Sequence, residues 1–484
     1  MRCRPQHTNP FPGRVRLREA LPKSRGHIAV IGAGLAGAAV CARFAAHGWQ
    51  VTLIDAHGAP AGGASGNHAA SFHPLIARDD NRMVRLIRAG IDTSLAHWCE
   101  LAQAGFPFAW SPCGALQLSR GGGKQDVAAV LDALARQGCA PQPRDARVVT
   151  QAEASSLAGI AVRSGGVWFG QGGWVQPASL IAAQLAGCGA RLTTCFGVWV
   201  ARAVCSSALP VPRWTLLDAD DRPIAQAPVV VLACGAEGLL PRLFGQQEWP
   251  VEAVAGQVSV VCADGAGADG GGAADAGTAW PAPRLPVHGA GYVLPCIDGK
   301  IVIGATYDRH GTQTVEAGHR HNFSQAARLF AAPLPLPLPS GRLSARVSLR
   351  AVARDRLPVM GQLVDEAALD RQAILRAGAR LAHLPRLPGV YAATAYGSRG
   401  LPGPPWARNC CWRRWRAHQS NSLMNWYARL TRAASRCARC GTFREPTAAA
   451  RAARMPLAAS ANDCVCGVRD TAYGVIAIST LQPA

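Results

Sequence analysis

Gly32, Gly34 and Gly37 form a G-x-G-x-x-G turn inside HIAVIGAGLAGAAVCARFAAHGWQVTLID, residues 27–55. The apolar run before the turn reads as a buried strand, the alanine-rich middle as a helix, and QVTLID as a second buried strand. In such a unit the first glycine permits the tight turn. The second lets a pyrophosphate approach the backbone, and the third lets helix pack on strand. Free N–H groups at the helix N-terminus then face the phosphates. Asp55 ends the second strand, where a carboxylate can bind ribose hydroxyls and repel a 2′-phosphate. This strand–helix–strand–acid order predicts a dinucleotide site rather than a purely structural glycine turn. It leaves FAD and NAD both open.

A chain of 484 residues suits two or three domains. No apolar run reaches the roughly 18–20 residues of a membrane span, and the N-terminus lacks a signal-peptide core. Seventeen cysteines are too dilute for a disulfide scaffold, and Cys41, Cys234 and Cys262 lie in apolar runs. Buried reduced thiols and a cytoplasmic setting are expected. The net charge of +21 invites a nucleic-acid reading, but most of it sits at the ends. Residues 1–26 carry +6 and residues 402–484 carry +9, which leaves +6 over 27–401. That middle is compatible with an RNA substrate and is no evidence for one.

Residues 1–26 lack periodicity and read as a disordered basic leader. GGASGNHAASFHP (62–74) is a small-residue loop just past the ribose-binding strand. Its Ser65, Asn67 and backbone N–H groups can lie against a flat isoalloxazine ring; the plainer reading is a helix N-cap loop. Residues 197–235 read as a β-meander ending in a fully buried strand. Residues 291–308 read as a hairpin turning at Asp298-Gly299. The low-complexity stretch 264–277 is expected to be a flexible loop, and PLPLPLPS (333–340) an extended linker.

Six stretches occur in one order: VIGAGLAGAAVCARFAAHGWQVTLID, GASGN…FHP, GGWVQPASL, VVVLACGAEG, RDRLPVMG and YGSRGL. In this the chain resembles the glycine/D-amino-acid oxidase superfamily over roughly 27–401. Within it, the chain most resembles the FAD-dependent oxidoreductase half of the MnmC family of bifunctional tRNA-modification proteins. The resemblance implies an α/β fold: a Rossmann-like FAD-binding domain interleaved with an antiparallel-sheet substrate domain, as in D-amino-acid oxidase. The FAD-binding parts would be about 27–80, 175–250 and 345–401, and the substrate parts about 81–174 and 251–344. FAD is the implied cofactor, near Gly32, Gly34, Gly37, Asp55, Ser65, Asn67, Gly397, Ser398, Arg399 and Gly400. Arg399 could equally be an exposed loop charge, but Gly397 and Gly400 suggest a close backbone approach to flavin.

The implied reaction is oxidative cleavage of a carboxymethylaminomethyl group on the wobble uridine of tRNA, giving aminomethyluridine and glyoxylate. The substrate is then tRNA, with no membrane and no metal involved. Flavin supplies the hard chemistry, and no catalytic acid–base pair is assigned. A carboxylate clamp calls for arginine, whose fork matches two oxygens. SLRAVARDRLP (348–358) offers Arg350, Arg354 and Arg356. By resemblance Arg350 falls where the superfamily keeps its substrate arginine; a surface arginine in a turn is the alternative. Tyr292 would line the substrate pocket or belong to the core. Two other functions stay open: a small-molecule glycine, sarcosine or D-amino-acid oxidase, and a non-catalytic remnant. The methyltransferase half of the bifunctional family is not seen in this chain.

Past YGSRGL the family continues with a helix that supports the flavin, and here that helix is missing. Residues 402–484 instead hold arginine, cysteine and tryptophan without zinc-ligand spacing or a hydrophobic period. Asn409-Cys410-Cys411-Trp412 must be encoded as AAY TGY TGY TGG. Read from each third base, this gives three leucines whichever pyrimidines are used. A shift of reading frame near Leu401–Pro402 is therefore expected, with a disordered tail rather than a new module.

Overall fold

The computed structural model describes residues 26–401 except 78–80, 120–128, 130, 132–145, 207–211, 237–239, 247–248, 250, 264–279, 335–340, 371–383 and 399. The leader 1–25, the loop 264–277, most of the linker, Arg399 and the tail 402–484 lie outside the described residues.

The first sheet is built from β1 (His27–Ile31), β2 (Gln50–Asp55), β3 (Leu192–Phe196), β4 (Val229–Leu232), β5 (Val359–Val364) and β6 (Arg386–Thr394). Their order across the sheet is β5-β6-β4-β1-β2-β3. β1 pairs in parallel with β4 and β2, β4 with β6, and β2 with β3. Only the edge strand β5 runs antiparallel to its neighbour. β1 is apolar at successive positions because both of its faces are covered. Ile28 and Val30 face a core with Phe44, Ile181 and Tyr391, whereas Ala29 and Ile31 face one with Trp214, Leu216 and Phe244. Alternation is still present, but it sorts residues between two cores instead of between core and water. Helix α1 (Leu35–Ala46) covers the first face and packs on the helix Pro177–Ala186. Its alanines permit that close approach.

The expected meander is present, with two corrections. Its strands are Arg202–Ser206, Arg213–Leu217 and Pro223–Ala227, so it begins at Arg202 rather than at residue 197. The final buried strand is a separate element: Ala227 closes the meander, and β4 enters the parallel sheet after Pro228. Proline has no N–H to continue a ladder, and apolar content alone does not say which sheet a strand joins.

Among the described residues the second sheet has eight strands. Their order is Leu343–Ala353, Val251–Cys262, Lys300–Gly304, Tyr292–Val293, Val287–His288, Ala115–Leu118, Gly166–Phe169 and Ala146–Val149. The hairpin turn at Asp298 and Gly299 has φ of 47° and 70°, the paired left-handed conformation that suits a tight hairpin and favours glycine. The long strand Leu343–Ala353 pairs antiparallel with Val251–Cys262 from Leu343↔Val261 to Ala353↔Val251. Its last residues Ala351 and Ala353 are buried in the core of the first sheet, so one strand serves both layers.

Among the described residues no helix is long and apolar enough to cross a membrane. Cys41 is buried as expected, but Cys234 and Cys262 are only half-buried. Each of those two ends or follows a strand, where the cover thins.

Candidate active site

A cavity of about 660 Å³ opens at the C-terminal ends of β1, β2, β4 and β6, bounded by Gly32, Asp55, Ala233 and Ala395. Crevices outside the carboxyl ends of parallel strands are where α/β sheets bind ligands. The volume is in the range of small-molecule and cofactor sites.

The glycine turn forms one end. Gly32 has φ +110°, and a Cβ there would lie 2.5 Å from the Ala233 carbonyl oxygen. Gly34 is the N-cap of α1 and has no side chain to cap it. Ser65 supplies the cap, its hydroxyl accepting the Leu35 N–H at 3.1 Å. A Cβ on Gly37 would overlap the Gly32 carbonyl oxygen, so Gly37 seats the helix on the turn and does not line the cavity. The first turn of α1 carries no acidic residue, which leaves its positive end uncompensated by its own side chains. That is a fit for a pyrophosphate.

Asp55 is held by its surroundings. Its Oδ2 accepts the Ala33 N–H at 2.6 Å, and its Oδ1 accepts the His57 N–H at 2.8 Å. The His57 Nδ1 lies 2.9 Å from the same oxygen. The carboxylate therefore braces the turn while bordering the cavity.

The loop after β2 is fastened to the second sheet. Arg346, on the strand Leu343–Ala353, donates through Nη2 to the carbonyls of Gly62 and Gly63, both at 2.9 Å. A Cβ at Gly66 would overlap that guanidinium, so the small residues of this loop answer to Arg346. Ser65 and Asn67 line the cavity beside it. Gly397, Ser398 and Gly400, more than 300 residues later in the sequence, line it as well. Gly397 has φ +57° and donates to the Ala351 carbonyl at 2.9 Å. Leu401 is buried against Trp98 and Leu180.

The other end is lined by Arg350, Tyr292, Thr306, Tyr307, Gln117, His73 and His288. Arg350 Nη1 donates to the Thr306 carbonyl at 3.0 Å, and its guanidinium lies 5.8 Å from the Tyr307 ring centroid. Among the described residues it has no carboxylate partner. Arg354 and Arg356 are exposed and outside the cavity. Tyr292 borders the cavity and also packs against the core of Val258, Leu294 and Val302. Burial raises its phenol above the ordinary value, opposed by the Arg350 charge. Burial pushes His288 well below the ordinary histidine value, with His73 beside it adding to the effect. The two imidazoles are 4.7 Å apart between centroids.

The tertiary structure thus brings Gly32, Gly34, Asp55, Ser65, Asn67, Tyr292, Arg350, Gly397, Ser398 and Gly400 to one cavity. Sequence reasoning missed Gln117, His73, His288, Thr306 and Tyr307. His73 lies inside the small-residue stretch already singled out, and His288 four residues before Tyr292. Gln117 carries no local signal, because its position is decided by pairing with His288.

A glycine turn at the end of a parallel sheet, a cavity beside it and a second, largely antiparallel sheet across it are the layout of a DAO-type fold. The family of FAD dependent oxidoreductases, DAO, matches residues 27–406, and the chain belongs to that family, with FAD as its cofactor. In particular, it is similar to the tRNA 5-methylaminomethyl-2-thiouridine biosynthesis bifunctional protein MnmC of Burkholderia mallei strain SAVP1. The two are 42% identical over 395 residues, covering 80% of this chain and 56% of that protein. The same protein of Burkholderia pseudomallei strain K96243 matches with the same figures. The chain therefore spans about half the length of these relatives. Among solved structures, glycine oxidase from Geobacillus kaustophilus is 18% identical, with TM-score 0.59 over 80% of this chain and 93% of that one. Iminodiacetate oxidase from Chelativorans sp. BNC1 is 21% identical, with TM-score 0.60 over 79% and 93%. At such identities the likeness concerns the fold.

Proposed function

We propose that this chain oxidatively removes the carboxymethyl group from carboxymethylaminomethyl(-2-thio)uridine at the wobble position of tRNA, releasing glyoxylate. The observation that carries the reading is Arg350, a guanidinium without a carboxylate partner among the described residues, in the cavity of an FAD-dependent oxidoreductase. The similarity to MnmC proteins over most of this chain supports the tRNA substrate.

The substrate arm is a glycine whose nitrogen is joined to the base through a methylene. FAD, when bound, supplies a two-electron acceptor for the C–H bond next to that nitrogen. The chain's own residues do the rest. The Arg350 fork binds the two carboxylate oxygens, which fixes the direction of the arm. Tyr292, whose phenol is kept protonated by burial, offers a donor beside it. The Gly32–Leu35 turn and the loop carrying Ser65 and Asn67 hold the cofactor at the opposite end. Loss of a hydride from carbon and a proton from nitrogen leaves a C=N bond. Water adds across it, and the C–N bond breaks to give glyoxylate and the aminomethyl base. Positioning carries most of the catalysis, because orientation alone can lower a barrier by about 7–11 kcal/mol.

The test is glyoxylate release from tRNA bearing the carboxymethylaminomethyl group, compared with free glycine and sarcosine. Glyoxylate from the small amino acids and none from tRNA would overturn the reading in favour of a small-molecule oxidase.

A further inference from the structure

We propose that Gln117, His288 and His73 form the wall that recognises the uracil ring carrying the glycine-like arm, with the Gln117 amide pairing with the imide edge of the base. The inference rests on the function proposed above and adds the part of the site that would distinguish a nucleoside from a free amino acid. Arg350 cannot make that distinction, since sarcosine carries the same carboxylate.

Three observations lead to it. First, Gln117 lines the cavity, and its side-chain amide has no hydrogen-bond partner among the described residues. An amide offers donors and an acceptor on one planar group. The imide edge of uracil presents a donor, N3–H, beside acceptor oxygens, so the two match as a pair. A carboxylate or an ammonium would satisfy only one half.

Second, Gln117 and His288 sit directly opposite each other on adjacent parallel strands, so the sheet holds the amide and the imidazole side by side. Third, the same wall is a run of flat rings from separate segments. His73 and His288 are 4.7 Å apart between centroids and His288 and Tyr292 are 5.9 Å apart, while Phe169, buried and outside the cavity lining, stacks behind His73 at 5.0 Å. The Nε2 of His288 is shielded from solvent and has no partner among the described residues. Burial keeps His288 neutral, which suits contact with an uncharged base.

Two probes, neither of which carries the complete glycine-like arm, separate the arm from the base. Methoxyacetate carries the carboxylate with an ether oxygen in place of the amine, and 5-aminomethyluridine carries the base without the carboxylate. Binding of each to the FAD-loaded full chain is measured by calorimetry, with the flavin spectrum and thermal midpoint checking that each variant is folded. Gln117→Leu is expected to weaken 5-aminomethyluridine by about tenfold or more, the usual weight of a two-point base contact. Methoxyacetate binding should be unchanged. Gln117→Met keeps the length of the side chain without its donor or acceptor and adds no charge, and should weaken the nucleoside alone in the same way. Equal weakening of both probes, or of neither, overturns the inference while leaving the uridine reading intact. A wild-type chain that binds methoxyacetate but not the nucleoside overturns the uridine reading and this inference with it.

Discussion

Ser65 caps helix α1 from outside it: its hydroxyl accepts the Leu35 N–H at 3.1 Å, thirty residues away in sequence. Gly34 occupies the N-cap position without a side chain, so backbone room for a cofactor and a satisfied helix end are provided by different residues. Replacing a capping hydroxyl typically costs about 0.5–2 kcal/mol. Ser65→Ala is therefore expected to lower the unfolding free energy by an amount in that range, seen as a lower denaturant midpoint, and to weaken FAD binding. An unchanged midpoint together with unchanged FAD affinity would show that water replaces the hydroxyl at no cost.

The glycines of the turn should fail in different ways. At Gly34 a Cβ would meet only the Ser65 side chain, its hydroxyl at 2.9 Å, so Gly34→Val should fold and lose FAD. At Gly37 a Cβ would overlap the Gly32 carbonyl, so Gly37→Val should displace α1 and reduce stability as well. Thermal midpoints of the cofactor-free proteins distinguish them. Equal midpoints would count against this division of roles.

Arg350 is expected to be needed for turnover and not for the flavin. Truncating one partner of a desolvated charge pair typically costs about 2–5 kcal/mol. Arg350→Ala should thus reduce kcat/KM by orders of magnitude while the bound-flavin spectrum persists. Arg350→Lys keeps the charge but not the fork and should recover only part of the loss. Full activity in the alanine variant would remove Arg350 from the mechanism and leave the carboxylate without an assigned partner.

The buried histidine predicts how stability varies with pH. Because His288 has a folded pKa well below its ordinary 6.5, the unfolded chain binds more protons than the folded one between those two values. Stability then rises with pH across that window and levels off above about 6.5. His27 and His319 are also lowered, with burial the largest cause for each, and act in the same direction. Acidification below about pH 6.5 should lower the thermal midpoint, and His288→Gln should make that fall shallower. A midpoint indifferent to pH between about 5 and about 6.5, or one that rises on acidification, would contradict this linkage.

The residues of 27–55 determined by themselves that a strand, a glycine turn, a helix and a second strand form here. The reason is local: the turn needs glycine where φ is +110° at Gly32, and the apolar run of β1 has no other use than burial. The hairpin at Asp298-Gly299 was legible on the same grounds, since its left-handed turn conformation is a property of the turn itself. The order of the motifs along the chain was enough to expect the family. Tertiary structure alone decided which residues share the cavity. Arg350, Arg354 and Arg356 are alike in residue type; resemblance singles out the first, and the pairing of Leu343–Ala353 with Val251–Cys262 is what turns it to the cavity and leaves the others exposed. Ser65 became the cap of a helix it does not belong to. Gln117 and His288, far apart in sequence, met because two short strands pair in parallel. Such contacts depend on sheet register, and register is set by the summed burial of many side chains rather than by any stretch of sequence that names the site.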